Sequence, residues 1–359
     1  MIKKTINLLL LLFVFIPYSF SQDFEEDTLT ISKTDTISII GVGDMMLGTN
    51  YPDKSYLPPN DGKDILSAVA HILRDADVTF GNLEGVLLTA LGNPKKCNDP
   101  KICYAFKSPD HYVKHFKEAG FDVVSIANNH VGDFGTPGTE NTVRLLQEEE
   151  IYYAGLTTYP YTTFTIDDVR YGFCAFAPNY GTVSIHDYKN AQRIVSLLDS
   201  ISDIVIVSFH GGAEGQAHNR ITRKGETFIG ENRGNPYEFA RKVIDAGADI
   251  VFGHGPHVIR AIDIYKDRFI AYSLGNFATY GRFNISGISG YAPIVKVYVD
   301  KTGKFLEAEV FSARQYGEGG PVLDENQSAL KEIKRLTKLD IPEAGFNFRD
   351  DGKITVDKK

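Results

Sequence analysis

The sequence predicts an α/β fold, a largely parallel sheet covered by helices, and three observations predict it. Short β-branched runs alternate with amphipathic helical stretches from residue 36 to residue 253, which is the pattern of repeated β-α units. After residue 257 the pattern changes to hairpins. The side chains able to ligate a metal fall just beyond the ends of the strand-like runs, the edge at which open α/β sheets bind ligands.

At the N-terminus, Lys3 and Lys4 precede an apolar run from Ile6 to Ile16, and Ser19 and Ser21 flank Phe20 after Pro17. This is the three-part pattern of a secretory signal peptide over residues 1–21, and the run is short for a span of about 30 Å of hydrocarbon. No Cys follows it, which argues against lipid attachment. The expected product is therefore secreted, periplasmic or otherwise extracytoplasmic. Residues 22–36 are acidic and Thr-rich and read as a linker. One α/β domain is expected over 37–315, with a C-terminal helix and polar tail over 316–359 packed on it.

Within the domain the strand-like runs are 36–42, 77–83, 122–127, 172–177, 203–209 and 248–253. Helical periodicity marks 63–76, 109–120, 141–150 and 236–247, with Gly120 and Gly247 placed to cap the second and fourth. Two antiparallel hairpins should turn at Lys266-Asp267 and at Thr302-Gly303, and a last helix lies in SALKEIKRLTKL (328–339).

A chain of 359 residues with 43% hydrophobic side chains can bury a large core. The net charge of −8 carries no basic block, which excludes nucleic acid as the main partner. A local pocket for an anion remains compatible with it. Cys97 and Cys103 bracket a short loop suited to a disulfide in an oxidising compartment, while Cys174 in GFCAFA reads as a buried apolar residue.

The chemistry gathers at five strand ends. Asp44 ends the first run, Asn82 and Glu84 the second, and Asn128, Asn129 and His130 the third, with Asp133 close behind. His210 ends the fifth, and His254 the sixth, with His257 three residues on. Any one of these has a plain explanation: Asp44 could be a helix cap, and Asn128-Asn129 a turn. Independent capping needs would not place all of them at equivalent strand ends. Imidazole with carboxylate suits Mn, Fe or Zn. Glu214, four residues after His210, could orient a ligand or remain a solvated carboxylate. The loop 216–235 carries Arg220, Arg223, Lys224 and Arg233 against Glu226 and Glu231. It reads either as steering for an anion or as solubilising charge. Tyr104, Phe106 and Phe134 flank the motifs as pocket lining or packing.

At these residues the sequence resembles a known family. GDMMLG (43–48), GNLEG (81–85), SIANNHVGDFG (125–135), the segment His210–Glu214, DAGADIVFGHGPHV (245–258) and AYSLGNF (271–277) are similar, in order, to the motifs of bacterial CapA capsule-synthesis proteins. That family is implicated in making or exporting poly-γ-glutamate capsule and belongs to the calcineurin-like metallophosphoesterases. The resemblance implies a four-layer α/β/β/α sandwich around a two-metal centre. It implies Asp44, Glu84 (with Asn82 as the alternative at that position), Asn129, His210, His254 and His257 as metal residues and His130 as the group serving the leaving group. Asn82, Asn128, Asp133 and Glu214 are implied as supporting or substrate residues. Two departures stand out. Asp44-Met45-Met46 replaces Asp-X-His, and Gly81-Asn82 replaces a Gly-Asp pair, the acid coming later as Glu84. Three functions are compatible: a metal-dependent phosphoester hydrolase of cell-envelope polymer metabolism, a non-catalytic subunit binding anionic polymer in a membrane synthesis or export complex, and a γ-glutamyl amide hydrolase. The expected partners are an anionic polymer or a phosphorylated small substrate.

Overall fold

The computed structural model describes residues 36–96, 104–317 and 320–356. The signal-peptide reading and the Cys97–Cys103 pair lie outside the described residues. In chain order the principal strands are β1 (Thr36–Met46), β2 (Val78–Leu83), β3 (Val123–Ser125), β4 (Tyr152–Ala154), β5 (Tyr161–Ile166), β6 (Val169–Phe176), β7 (Ile204–His210), β8 (Ile250–His254), β9 (Ile262–Tyr265), β10 (Arg268–Ala271), β11 (Asn276–Thr279), β12 (Ile294–Asp300), β13 (Phe305–Phe311), β14 (Phe346–Phe348) and β15 (Lys353–Val356). The α-helices are α1 (Ala70–Leu73), α2 (Val113–Ala119), α3 (Gly135–Glu148), α4 (Tyr188–Ile201), α5 (Pro236–Ile244) and α6 (Ser328–Asp340).

Two large sheets form among the described residues, beside three two-stranded ones, and both large sheets are mixed where the sequence suggested one largely parallel sheet. The first runs β14-β15-β13-β12-β1-β2-β3-β4, with β11 parallel to the C-terminal end of β1. The second runs β9-β10-β8-β7-β6-β5. Parallel pairing holds at the centres, β1-β2-β3-β4 and β6-β7-β8-β10, and the hairpins supply the antiparallel strands. The β9-β10 hairpin turns through Lys266 and Asp267, both at positive φ, and Gly303 at φ 73 turns β12 into β13.

Alternation along each central strand sends side chains to two different cores. Ile39, Phe80, Ile206 and Phe252 meet between the sheets, where the Phe80 and Phe252 rings stack at 5.4 Å. Ile40, Val42 and Val124 face Val113 and Phe116 of α2 and Leu145 and Leu146 of α3. Val205, Val207 and Val251 face Ile194 and Leu198 of α4 and Phe239 and Val243 of α5. The result is the four-layer α/β/β/α sandwich that the resemblance implies. Strands buried on both faces read as unbroken apolar runs, which is why they were visible in sequence.

Some elements differ from expectation. Only Ala70–Leu73 of the 63–76 stretch is α-helix, because Ile65, Ser67 and Val69 bond three residues back rather than four. Helix α4 was not expected, although Ala191, Ile194, Val195 and Leu198 carry helical spacing and Asp187 caps it through Asn190 N. The polar tail contributes the hairpin β14-β15 to the first sheet.

Glycine is required where β1 approaches β11. A Cβ on Gly43 would lie 2.1 Å from the Gly275 carbonyl oxygen, which accepts a hydrogen bond from Asp44 N at 2.9 Å. Gly43→Ala is expected to cost about 1–3 kcal/mol through forced backbone movement, read as a lowered Tm. An unchanged Tm would show that the two strands can separate freely.

Candidate metal centre

The two central parallel sets end at a common edge. Asp44 lies near the end of β1, Asn82 in β2 with Glu84 just after it, and His210 and His254 end β7 and β8, where they are register partners. Asp44, Glu84, His210 and His254 are completely buried, four ionisable groups with no access to water. The segment after β8 brings His257 back into the same place. Gly255 at φ 109 packs against the backbone of Gly211, where a Cβ would meet backbone atoms at 2.8 Å, and His257 itself sits at φ 56. A non-glycine residue held in that region is uncommon and points to a constrained, functional loop.

One ligand atom from each of Asp44, Glu84 and His210 can be chosen so that all three lie within 4.8 Å of one another. His257 Nδ1 lies 2.9 Å from Asp44 Oδ2 and 3.1 Å from Asn276 Oδ1. His254 Nδ1 lies 3.2 Å from Asp44 Oδ1, yet neither nitrogen of that buried ring makes a hydrogen bond. His210 Nδ1, Glu84 Oε1 and Asn129 Oδ1 are also buried without a hydrogen-bond partner. Orphaned polar atoms of this kind are rare in a folded interior, and three of these residues, His210, Glu84 and His254, gather around Asp44.

The electrostatics describe a site short of positive charge. Burial would raise the Asp44 carboxyl, but His254 and His257 beside it hold it far below the ordinary carboxylate range. Burial, with the Asp44 charge added, pushes Glu84 well above that range. Burial and the Arg233 guanidinium drive His210 well below the usual imidazole range. Burial would lower His257, but its hydrogen bond to Asp44 pushes it up to about 10. Two carboxylates out of water cannot both ionise cheaply unless a cation joins them.

Beside this cluster stands a histidine–carboxylate pair. His130 Nδ1 bonds Asp133 Oδ2 at 2.7 Å, and Nε2 faces the cluster 3.9 Å from Glu84 Oε1. Asp133 is held by Phe106 N at 2.6 Å and Lys95 Nζ at 2.6 Å. Burial keeps His130 below its usual value in spite of Asp133. Phe106 packs on the His130 ring at 4.3 Å and on Phe283 at 5.1 Å, and Phe283 meets His257 at 5.4 Å. These rings wall the approach to the cluster.

The supporting residues fall as follows. Asn82 and Asn128 lie inside the site, joined by a hydrogen bond of 3.2 Å. Glu214 bonds Arg233 at 3.0 Å. In the loop 216–235 three of the four basic side chains make ion pairs within the protein. Arg220 pairs with Asp340, and Arg223 reaches Glu343 and stacks on Tyr237. Arg233 is 2% exposed, its Nη2 lying 3.2 Å from His210 Nε2. Phe134 packs on Tyr51 at 5.3 Å and Cys174 is buried. Sequence reasoning missed Arg233 as a site residue, and Asn276, whose LGNF motif was its only signal. Lys95 and Phe283 gave none.

Comparison with known proteins follows this geometry. The chain is 29% identical over 270 residues to the capsule biosynthesis protein CapA of Bacillus anthracis, covering 68% of this chain and 60% of that one. It is 28% identical over 345 residues to the PGA biosynthesis protein CapA of Bacillus subtilis, covering 90% and 83%. A calcineurin-like phosphoesterase structure from Bacillus subtilis overlaps 86% of this chain and 99% of its own at 12% identity, with a TM-score of 0.41. The family profile described as bacterial capsule synthesis protein PGA_cap matches residues 38–280, well over half of the 359 residues, and the chain belongs to that family.

Proposed function

We propose that this chain is an exported, metal-dependent hydrolase that cleaves a phosphoester or related bond in capsule, poly-γ-glutamate or other cell-envelope polymer metabolism. The observation that carries the reading is the gathering of His210, His254 and Glu84, each with an unpartnered buried side-chain atom, around the buried Asp44 carboxylate, with the His130–Asp133 pair beside them.

The donor set fits divalent Mn, Fe or Zn: oxygen and imidazole ligands, no thiolate, and buried atoms that lack any other partner. Asp44, Glu84, His210 and His254 would hold such ions, with Asn129 and His257 at the rim. When bound, they would acidify a water and neutralise an anionic substrate. The chain's own groups do the rest. Asp133 accepts a hydrogen bond from His130 Nδ1–H and so fixes the ring with Nε2 inward, placed to give a proton to a leaving oxygen when the ring is protonated. Arg233 and Glu214 brace His210 from behind. Phe106 packs against the flank of His130 and Phe283 against that of His257.

A second reading has one observation in its favour. Met46, 1% exposed, stands where the superfamily pattern has a histidine, which suits a subunit that binds anionic polymer without cleaving it. Hydrolysis of bis-p-nitrophenyl phosphate or p-nitrophenyl phosphate with Mn²⁺, above a metal-only blank, supports the first reading. Binding of poly-γ-glutamate with no turnover of any probe would favour the second, and glutamate release from γ-glutamyl oligomers would move the reaction to the amide bond.

A further inference from the structure

Asn82 sits in the middle of the site with every amide atom engaged. Its Nδ2 donates to Asp44 Oδ1 at 2.8 Å and to Glu84 Oε2 at 2.6 Å, and its Oδ1 accepts from Asn128 Nδ2 at 3.2 Å. The two ends of a primary amide have the same shape, so its direction must come from a partner of fixed sense. Asn128 has two. The backbone N–H of His130, which can only donate, bonds Asn128 Oδ1 at 3.0 Å, and the Leu83 carbonyl, which can only accept, is bonded by Asn128 Nδ2 at 2.8 Å.

Asn128 is thereby fixed, and its second N–H fixes Asn82 with the nitrogen toward the carboxylates. Turning Asn82 over would set its oxygen against two carboxylate oxygens and its nitrogen against the nitrogen of Asn128. Both side chains are completely buried, so water cannot relieve that mismatch.

We infer that Asn82 is a positioning residue and not a metal ligand. It is a neutral clamp whose two N–H groups hold Asp44 and Glu84 together for the ion, with its direction set by backbone groups through Asn128. The clamp itself stands on hydrogen bonds alone; its purpose rests on the metal-dependent reading above. An aspartate here would be nearly the same size with the opposite hydrogen-bond sense, which gives the Gly81-Asn82 departure a physical meaning.

The test is Asn82→Leu, close in shape but without the amide, measured in EDTA and with Mn²⁺. A clamp works without metal, so the variant should melt about 5 °C lower in EDTA and bind Mn²⁺ roughly 10- to 100-fold more weakly. Weaker Mn²⁺ binding with an unchanged or raised Tm in EDTA would make Asn82 a ligand and overturn the inference. A lowered Tm with unchanged Mn²⁺ affinity would leave it merely structural and overturn it equally. Should the variant not fold, a crystal structure of the wild-type chain soaked in Mn²⁺ decides. Asn82 Nδ2 still bonded to both carboxylates supports the clamp, and Asn82 Oδ1 on the ion refutes it. Soaked crystals without an ion would defeat the metal-dependent reading and the purpose of the clamp with it, while the Asn82 hydrogen bonds seen in the same crystals would still judge the clamp.

Discussion

A His130→Gln variant is expected to keep its metal and to lose about 10²- to 10⁴-fold in kcat, the range for removal of a positioned general acid. The expectation follows from how the ring is held. Asp133 takes Nδ1 at 2.7 Å, and Phe106 at 4.3 Å fixes the ring plane, so Nε2 is the only nitrogen facing the cluster. Glutamine has comparable length and polarity but no titrating group. The check is kcat toward a nitrophenyl phosphoester beside metal content on the same preparation. A variant that lost metal together with activity would make His130 a ligand, and one with unchanged kcat would remove it from the reaction.

The second large effect concerns stability. Arg260 and Glu226 form a bidentate pair, Nη1–Oε1 at 2.9 Å and Nη2–Oε2 at 2.8 Å, with Arg260 only 1% exposed. Glu226 Oε2 also accepts from Ala213 N at 2.8 Å, and Arg260 Nη2 donates to the Ala213 carbonyl at 3.2 Å. The pair thus ties the segment after His210 to the segment after His257. Glu226→Ala strands a charge in the interior and should cost about 3–5 kcal/mol, which is roughly 10 °C in Tm for a chain of this size. Exchanging both partners for apolar residues, Arg260→Met with Glu226→Leu, should recover most of that loss. Equal destabilisation by the single and double variants, measured by urea unfolding, would show that the pair contributes net stability of its own.

Much of this site was legible because strands buried on both faces leave long apolar runs, and a polar residue at the end of such a run is conspicuous. Asp44, His210 and His254 were found that way, and the structure brings them together. The four-layer stacking came from the resemblance and not from periodicity, since a continuous apolar run does not say which face meets the second sheet. Arg233 was hidden because the loop around it carries other charges and the sequence does not record that only this one is buried against an imidazole. The role of Asn82 was hidden for a different reason: its amide direction is set by a residue 46 positions away. Helix α4 is legible in the helical spacing of Ala191, Ile194, Val195 and Leu198.

The most direct test is metal analysis of protein purified without chelator, beside a His254→Ala, His257→Ala double variant. The account predicts near-stoichiometric Mn, Fe or Zn in the wild-type chain and its loss in the double variant, because His254 lies 3.2 Å and His257 2.9 Å from the Asp44 carboxylate. A wild-type chain that stays metal-free after incubation with all three ions would contradict it, and a polymer-binding subunit would then be the better account.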